Sequence, residues 1–266
     1  AITSYKIRNK QIINEGPLVN FWRAPTDNDY GAGLQNRLLE WKEASSNAQN
    51  TSIKFTPQDA QGWAKITIEK ILLNGDASFT QIIQIDGNGA LEIKNTFTAI
   101  KGNHPMLFRF GNHFTLSNDF SQIAWYGKGP FENYQDRNSA SLTGTYQASL
   151  KDSYYPYIRP QESGNKTNVR WAKISKLDGT GFTVAFQNEL LNINFLPYSL
   201  DQLSSGPQKQ QEHSGELTND KNVHLDIDLA QMGLGSINSW GALPLEKYRL
   251  PFKNYEYSYI IIPDKK

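Results

Sequence analysis

Along most of this chain apolar side chains recur at every second position, the repeat of a strand with one buried and one wet face. Trp63, Ile66 and Ile68 begin the pattern, Phe79 to Ile85 continue it, and Leu91, Ile93, Phe97 and Ala99 repeat it. Between the last two runs lies Asp86-Gly87-Asn88-Gly89, a sequence suited to the positive φ of a tight hairpin, so these runs predict a meander. Later runs are Phe182, Val184, Phe186; Ile193 and Phe195; Val223, Leu225, Ile227, Leu229 alternating with His224, Asp226 and Asp228; and Tyr255, Tyr257, Tyr259. The alternation predicts solvent on the His224 side of its strand. A helix is expected only over Leu34–Ala44, where Leu34, Leu38 and Trp41 share one stripe, with a further short turn near Tyr198 to Leu203. Many strands, one or two short helices and closely spaced turn residues predict an all-β fold of antiparallel sheets packed face to face. No repeat, low-complexity tract or linker-like composition breaks the chain, which reads as a single domain over 1–266.

At 266 residues the chain can bury a sizeable core without disulfides, and it has no cysteine to form one. Its 27 Lys and Arg stand against 26 Asp and Glu, a net charge of +1, which gives no electrostatic footprint for nucleic acid or an anionic membrane and points to a neutral ligand. The sequence shows no targeting signal and no apolar run long enough to span a bilayer, so a soluble protein of cytoplasm or periplasm is expected. Asn50 and Asn165 head glycosylation acceptor triplets, usable only in a host that glycosylates and secretes. Aromatic residues make up 12 % of the chain, and flat rings suit both sandwich cores and sugar faces.

Four segments between the strands mix charged and aromatic residues with turn formers: Asn20–Gly31, Trp125–Arg137, Tyr157–Asn165 with Arg170-Trp171, and Gln231–Gly241. Asp27, Asp29, Glu132, Asp136 and Glu162 are candidates for the two carboxylates that most glycosidases require. Arg23, Arg137, Arg159 and Arg170 occupy the same segments, however, which favours structural ion pairs that pin long loops. Asn14-Glu15 and Asn188-Glu189 resemble a glycosidase acid/base dipeptide, a match too short to carry weight. Asp27, Asn28 and Asp29 offer oxygen ligands for a hard cation, but Leu38 stands where a calcium loop needs its glutamate, so capping the N-terminus of the Leu34 helix is the favoured role. The histidines lack zinc spacing; His224 reads as a strand surface residue and His213, before Ser214-Gly215-Glu216, as the one in a site-like setting. Gly31-Ala32-Gly33 and Gly127-Lys128-Gly129 are too short for phosphate loops.

Taken together, the four segments resemble the C-terminal small-chain domain of glycoside hydrolase family 2 β-galactosidases. The resemblance rests on Asn20-Phe-Trp-Arg-Ala-Pro-Thr-Asp-Asn-Asp29, on Gly127-Lys-Gly-Pro-Phe-Glu-Asn-Tyr134 with Asp136-Arg137, on Arg159-Pro-Gln-Glu162 with Gly164-Asn165 and Val169-Arg170-Trp171, and on Gln231-Met-Gly-Leu-Gly235 with Asn238-Ser-Trp-Gly241, in that order. It implies a galactose mutarotase-like supersandwich, the closing part of a longer retaining enzyme whose catalytic glutamates sit on a separate (β/α)₈ barrel. Length agrees, since such a barrel alone takes about 250 residues and the chain lacks βα alternation. On this resemblance the chain holds no catalytic residue or cofactor, Mg²⁺ or Na⁺ belongs to the longer enzyme, and the partners are the barrel, a galactoside and, at full length, further copies. The resemblance makes Trp240, with Asn238, the first candidate for lining the sugar site. Mutarotase kinship adds His213 paired with Glu162 or Glu216, and Arg159 completes the candidate set. A stand-alone aldose 1-epimerase and a non-catalytic carbohydrate-binding module are the alternatives.

Overall fold

The computed structural model describes residues 2–7, 9–60, 62–186, 188–235, 238 and 240–264. Strands dominate, as the alternation predicts, and they form two antiparallel sheets. One sheet runs in the order β1 (Tyr5–Ile7), β2 (Lys10–Asn20), β7 (Arg109–Ser117), β14 (Asn222–Gln231), β13 (Leu191–Leu196), β10 (Lys166–Val169). The second has nine strands: β3 (Gln49–Thr56), β4 (Ala64–Leu72), β5 (Ala77–Ile85), β6 (Leu91–Ala99), β15 (Tyr255–Pro263), β12 (Gly181–Phe186), β11 (Trp171–Lys176), β8 (Phe120–Gly129) and β9 (Leu142–Ser149). The expected hairpin joins β5 to β6, with the Asp86 carboxylate accepting from the backbone N–H groups of Asn88 and Ala90 to close the turn.

Val223, Leu225 and Ile227 of β14 and the even-numbered residues of β7 face the second sheet, and the core fills the gap. Phe110 lies against Phe79 and Tyr257 with ring centroids 6.3 and 5.3 Å apart, and Phe114 meets Tyr259 at 6.5 Å. One polar ladder crosses this apolar layer. Gln81 donates to Asn95, Asn95 to Asn112, and Tyr259 to the same Asn112 oxygen, at 2.9, 2.8 and 2.7 Å. Each of these side chains is buried, so the bonds they make to one another replace those lost to water.

The helical content differs from expectation. Four short helices occur among the described residues: α1 (Asp27–Gly31), α2 (Leu34–Arg37), α3 (Leu39–Ser46) and α4 (Leu150–Ser153). The single helix predicted over Leu34–Ala44 breaks at Leu38, whose φ of −107° and ψ of 11° leave the helical region. The stripe is nevertheless real, because Leu34, Leu38 and Trp41 are all buried. Pieces this short are not self-supporting, and packing rather than propensity sets their geometry. Near Tyr198–Leu203 the chain forms a hydrogen-bonded turn, Leu203 N–H donating to Ser199 O. No helix among the described residues is long and apolar enough to cross a membrane.

The expected wet face of β14 is a second correction. His224, Asp226 and Asp228 are buried, because the loops carrying the polar segments fold over that side of the six-stranded sheet. His224 Nε2 lies 2.8 Å from Asp220, its Nδ1 3.3 Å from His113, and the two imidazoles stack at 5.3 Å. Burial and the neighbouring His113 lower the His224 pKa below its ordinary value, against the pull of Asp220.

Candidate functional site

The first two polar segments converge on the start of the fourth, the stretch that leaves β14, and Glu162 of the third touches it through the Gln231 side chain. Arg23 is fully buried and bidentate to Asp29, with Nε and Nη2 at 3.1 and 2.8 Å. Asp29 in turn closes a capping box on α1: its carboxylate accepts from Thr26 N–H at 2.9 Å while its own N–H donates to Thr26 Oγ1. The capping role expected of this acid is therefore met, on the helix it belongs to rather than on the Leu34 stretch. The rest of the Arg23 fork points across the sheet, donating to the carbonyls of Met232 and Gly233.

From the second segment, Gln135 Nε2 donates to Gln231 O at 2.8 Å, and the Asp136 carboxylate accepts from the N–H groups of Leu234 and Gly235 at 3.1 and 3.0 Å. A Cβ on Gly233 would stand 2.6 Å from Asp136 Oδ2, so the close approach needs glycine there. Asn28 Nδ2 donates to Leu234 O. Beyond this root Ser236, Ile237 and Ser239 of the Trp240 motif lie outside the described residues. Asn238 Oδ1 accepts from the backbone of Trp240 and Ala242, both at 3.2 Å, and Trp240 itself is 78 % exposed. A large indole so exposed to water buries little and gains little in isolation.

Behind the root lies a dry layer of charge. Arg109 donates Nε and Nη2 to one oxygen of Asp228 at 3.1 and 2.7 Å and Nη1 to Asp226 at 3.1 Å, all three side chains being buried. Glu162, 1 % exposed, accepts from Tyr134, Asn194 and Gln231 at 3.2–3.3 Å. Burial raises the Glu162 carboxyl above its usual pKa, with Arg109 and Arg23 opposing. Burial also raises Asp228, aided by Asp226 and Glu162, whereas Arg109 and His113 overcome burial to hold Asp226 low. Three carboxyl groups near one guanidinium cannot all ionise at ordinary cost. Gly111 passes so close that a Cβ there would overlap Asp228 Oδ1 at 1.7 Å.

The model of the family described as β-galactosidase small chain matches residues 1–261. The chain belongs to that family. A β-galactosidase from Priestia megaterium is 33 % identical over 255 residues, 96 % of this chain and 24 % of that protein. One from Lactobacillus delbrueckii subsp. bulgaricus is 32 % identical over 90 % of this chain and 23 % of its own length. The small chain therefore spans about a quarter of these relatives. Among solved structures, galactose 1-epimerase from Lactobacillus acidophilus NCFM aligns with a TM-score of 0.45 at 9 % identity, covering 80 % of this chain and 66 % of that one.

Within this small chain the sequence-predicted residues fall into separate places. Asn238 accepts from the Trp240 backbone. Arg159 instead ties α1 to the loop before His213: its guanidinium reaches Gln210 O and Ser205 Oγ, both at 2.7 Å, and lies 3.6 Å from Asp27. Partial burial works to raise the Asp27 carboxyl, but Lys209, Gln161 and Arg159 outweigh it and leave the pKa low. Asp27 and Asp29 are thus each neutralised by basic side chains, an arrangement that does not fit a shared cation. Among the described residues no group of three or more His, Asp or Glu side chains is arranged to hold a metal ion. His213 is largely exposed and caps a 3₁₀ turn with Glu216, its N–H donating to Glu216 Oε2 at 2.9 Å. Of the two acids considered for His213, Glu216 is the one it meets; Glu162 turns inward to Tyr134, Asn194 and Gln231. Among the described residues Arg170 pairs with no carboxylate; it lies over the Tyr126 ring at 4.9 Å, departing from the expected ion pair.

Sequence reasoning passed over Arg109, whose neighbours Phe108 and Phe110 look like ordinary strand residues. Its available signal was indirect: Asp226 and Asp228 in one strand need a buried cation once their face is covered.

Proposed function

We propose that this chain is the accessory part of a retaining β-galactosidase and presents Trp240 to a galactoside held on a catalytic (β/α)₈ domain of the same longer polypeptide. What supports the reading is an exposed indole a few residues beyond a stretch that the other three polar segments contact, within a chain of the β-galactosidase small-chain family. An indole on a fixed root can cover the apolar face of a sugar. Covering roughly 100 Å² at about 25 cal/mol per Å² contributes about 2.5 kcal/mol, some two orders of magnitude in affinity. The catalytic carboxylates, and any Mg²⁺ or Na⁺, come from the rest of that enzyme, whose oligomeric state is set there as well. Asn238 holds the Trp240 backbone, and Arg159, Glu162 and His213 act at a distance by fixing neighbouring loops.

The test exchanges the matching quarter of the Priestia megaterium relative for this chain. The chimera is expected to hydrolyse a chromogenic β-galactoside, with Trp240→Ala raising KM by one to two orders of magnitude while the chain alone stays silent. Turnover by the chain alone, abolished by Glu162→Gln, would sink the proposal.

A further inference from the structure

A second feature of the surface lies beside the second and third polar segments. Phe131, Glu132, Asp136, Arg137, Tyr155 and Tyr157 line a cleft of about 620 Å³, inside the range of small-molecule sites, roughly 300–1,000 Å³. Phe131 and Tyr155 are 54 % and 56 % exposed, unusual for large rings, and Tyr155 and Tyr157 lie 4.7 Å apart with planes inclined by 55°.

A polar neighbour holds the backbone of Phe131 and of Tyr155, and the ring hydroxyl of Tyr157. Asn133 Nδ2 donates to Phe131 O at 3.0 Å, and Ser163 Oγ both accepts from Tyr155 N–H at 2.8 Å and donates to Tyr155 O at 3.0 Å. The Tyr157 hydroxyl and Arg137 Nη2 both donate to Glu132 Oε1, while Glu132 Oε2 accepts from Gly164 N–H at 2.7 Å. Anchoring of this kind removes much of the ordering cost of binding. Arg137 spends only Nη2 on these contacts. Among the described residues its Nε and Nη1 donate to no acceptor, and its side chain is half exposed. Asp136, whose two oxygens each take one backbone N–H, adds acceptor capacity to the cleft lining.

We propose that this cleft is a second saccharide-binding site, distinct from Trp240, that takes a neutral sugar unit. Rings flanked by an arginine fork and a carboxylate match the alternation of apolar C–H face and hydroxyl rim on a pyranose. Charge selects against an anionic ligand: Glu132 already neutralises Arg137, and Asp136 leaves the cleft net negative. The proposal does not rest on the role proposed for Trp240.

The test titrates the chain with lactose, maltose, cellobiose and, as the anionic probe, glucuronate, followed by saturation-transfer NMR. At least one neutral disaccharide is expected to bind, equally well to Trp240→Ala, and to weaken by about tenfold, about 1.4 kcal/mol, in Phe131→Ala and in Tyr155→Ala. Arg137→Gln keeps all three rings and is expected to weaken binding as well; near-UV circular dichroism verifies that each variant is folded. Binding lost in Trp240→Ala alone, a preference for glucuronate, or no binding of any neutral probe would overturn the assignment. Concentration-dependent dimers that shield the rings without binding sugar would also overturn it, making the cleft a self-contact.

Discussion

His104 sits between two carboxylates, its Nδ1 3.2 Å from Glu40 on α3 and its Nε2 3.1 Å from Asp76, with Phe252 packed at 4.8 Å. Burial alone would lower its pKa, but Asp76 and Glu40 overcome that and raise it. A raised folded pKa means stability that is complete below the unfolded value of about 6.5 and lost as pH rises through the folded one. Thermal melts should therefore show His104→Asn furthest below the parent under pH 6 and closing on it as pH rises; a constant gap would contradict the clasp. Such single-residue roles are poorly legible in sequence. Trp240 stood out only within its motif, and Asn95 and Gln81 could be noticed only as polar residues interrupting apolar frames. Asn95 donates to Asn112 on another strand, and Asn112 in turn accepts from Tyr259, 147 residues further on; nothing local announces either match.

At the scale of elements, local rules carried further. Alternation located β4, β5, β6, β12, β13, β14 and β15, and the β5–β6 turn followed from the Asp86–Gly89 chemistry. Alternation assigns sides, however, not solvent. It separated His224, Asp226 and Asp228 from the apolar face of β14 correctly, but loops from elsewhere made their side dry. The segment after β14 illustrates the dependence from the other direction, for its root is held by Arg23, Asn28, Gln135 and Asp136, none of them near it in sequence. Asp136→Ala leaves two backbone N–H groups without their charged acceptor, a loss of about 1–3 kcal/mol. Hydrogen exchange at Leu234 and Gly235 should speed up by at least an order of magnitude and Trp240 fluorescence anisotropy should fall; protection unchanged at both amides would show that the carboxylate does not anchor the root.

The whole molecule is asymmetric, with nine strands facing six. Ile53 and Phe55 pair with Ile68 and Ile66 and continue the face that buries Phe79 and Ile83 further along, yet they are 62 % and 66 % exposed because they lie beyond the smaller sheet. Exposure decides the effect of mutation here. Phe110→Ala, inside the gap, should cost about 3–5 kcal/mol by cavity formation, whereas Phe55→Ser should stay within about 0.5 kcal/mol, both read from denaturant midpoints. Equal losses would mean that the overhang is packed in solution.

By itself the sequence determined the strands, their inward sides, the hairpin chemistry and the family motifs, because each depends on residues within a few positions of one another. Only the tertiary structure decided that loops seal the polar side of the smaller sheet, that Arg109 pairs with the Asp226 strand, and that three distant segments meet on the stretch that leaves β14. Those outcomes depend on which surfaces are removed from water together, and desolvation is a property of the assembled sheets and loops rather than of any local run of residues.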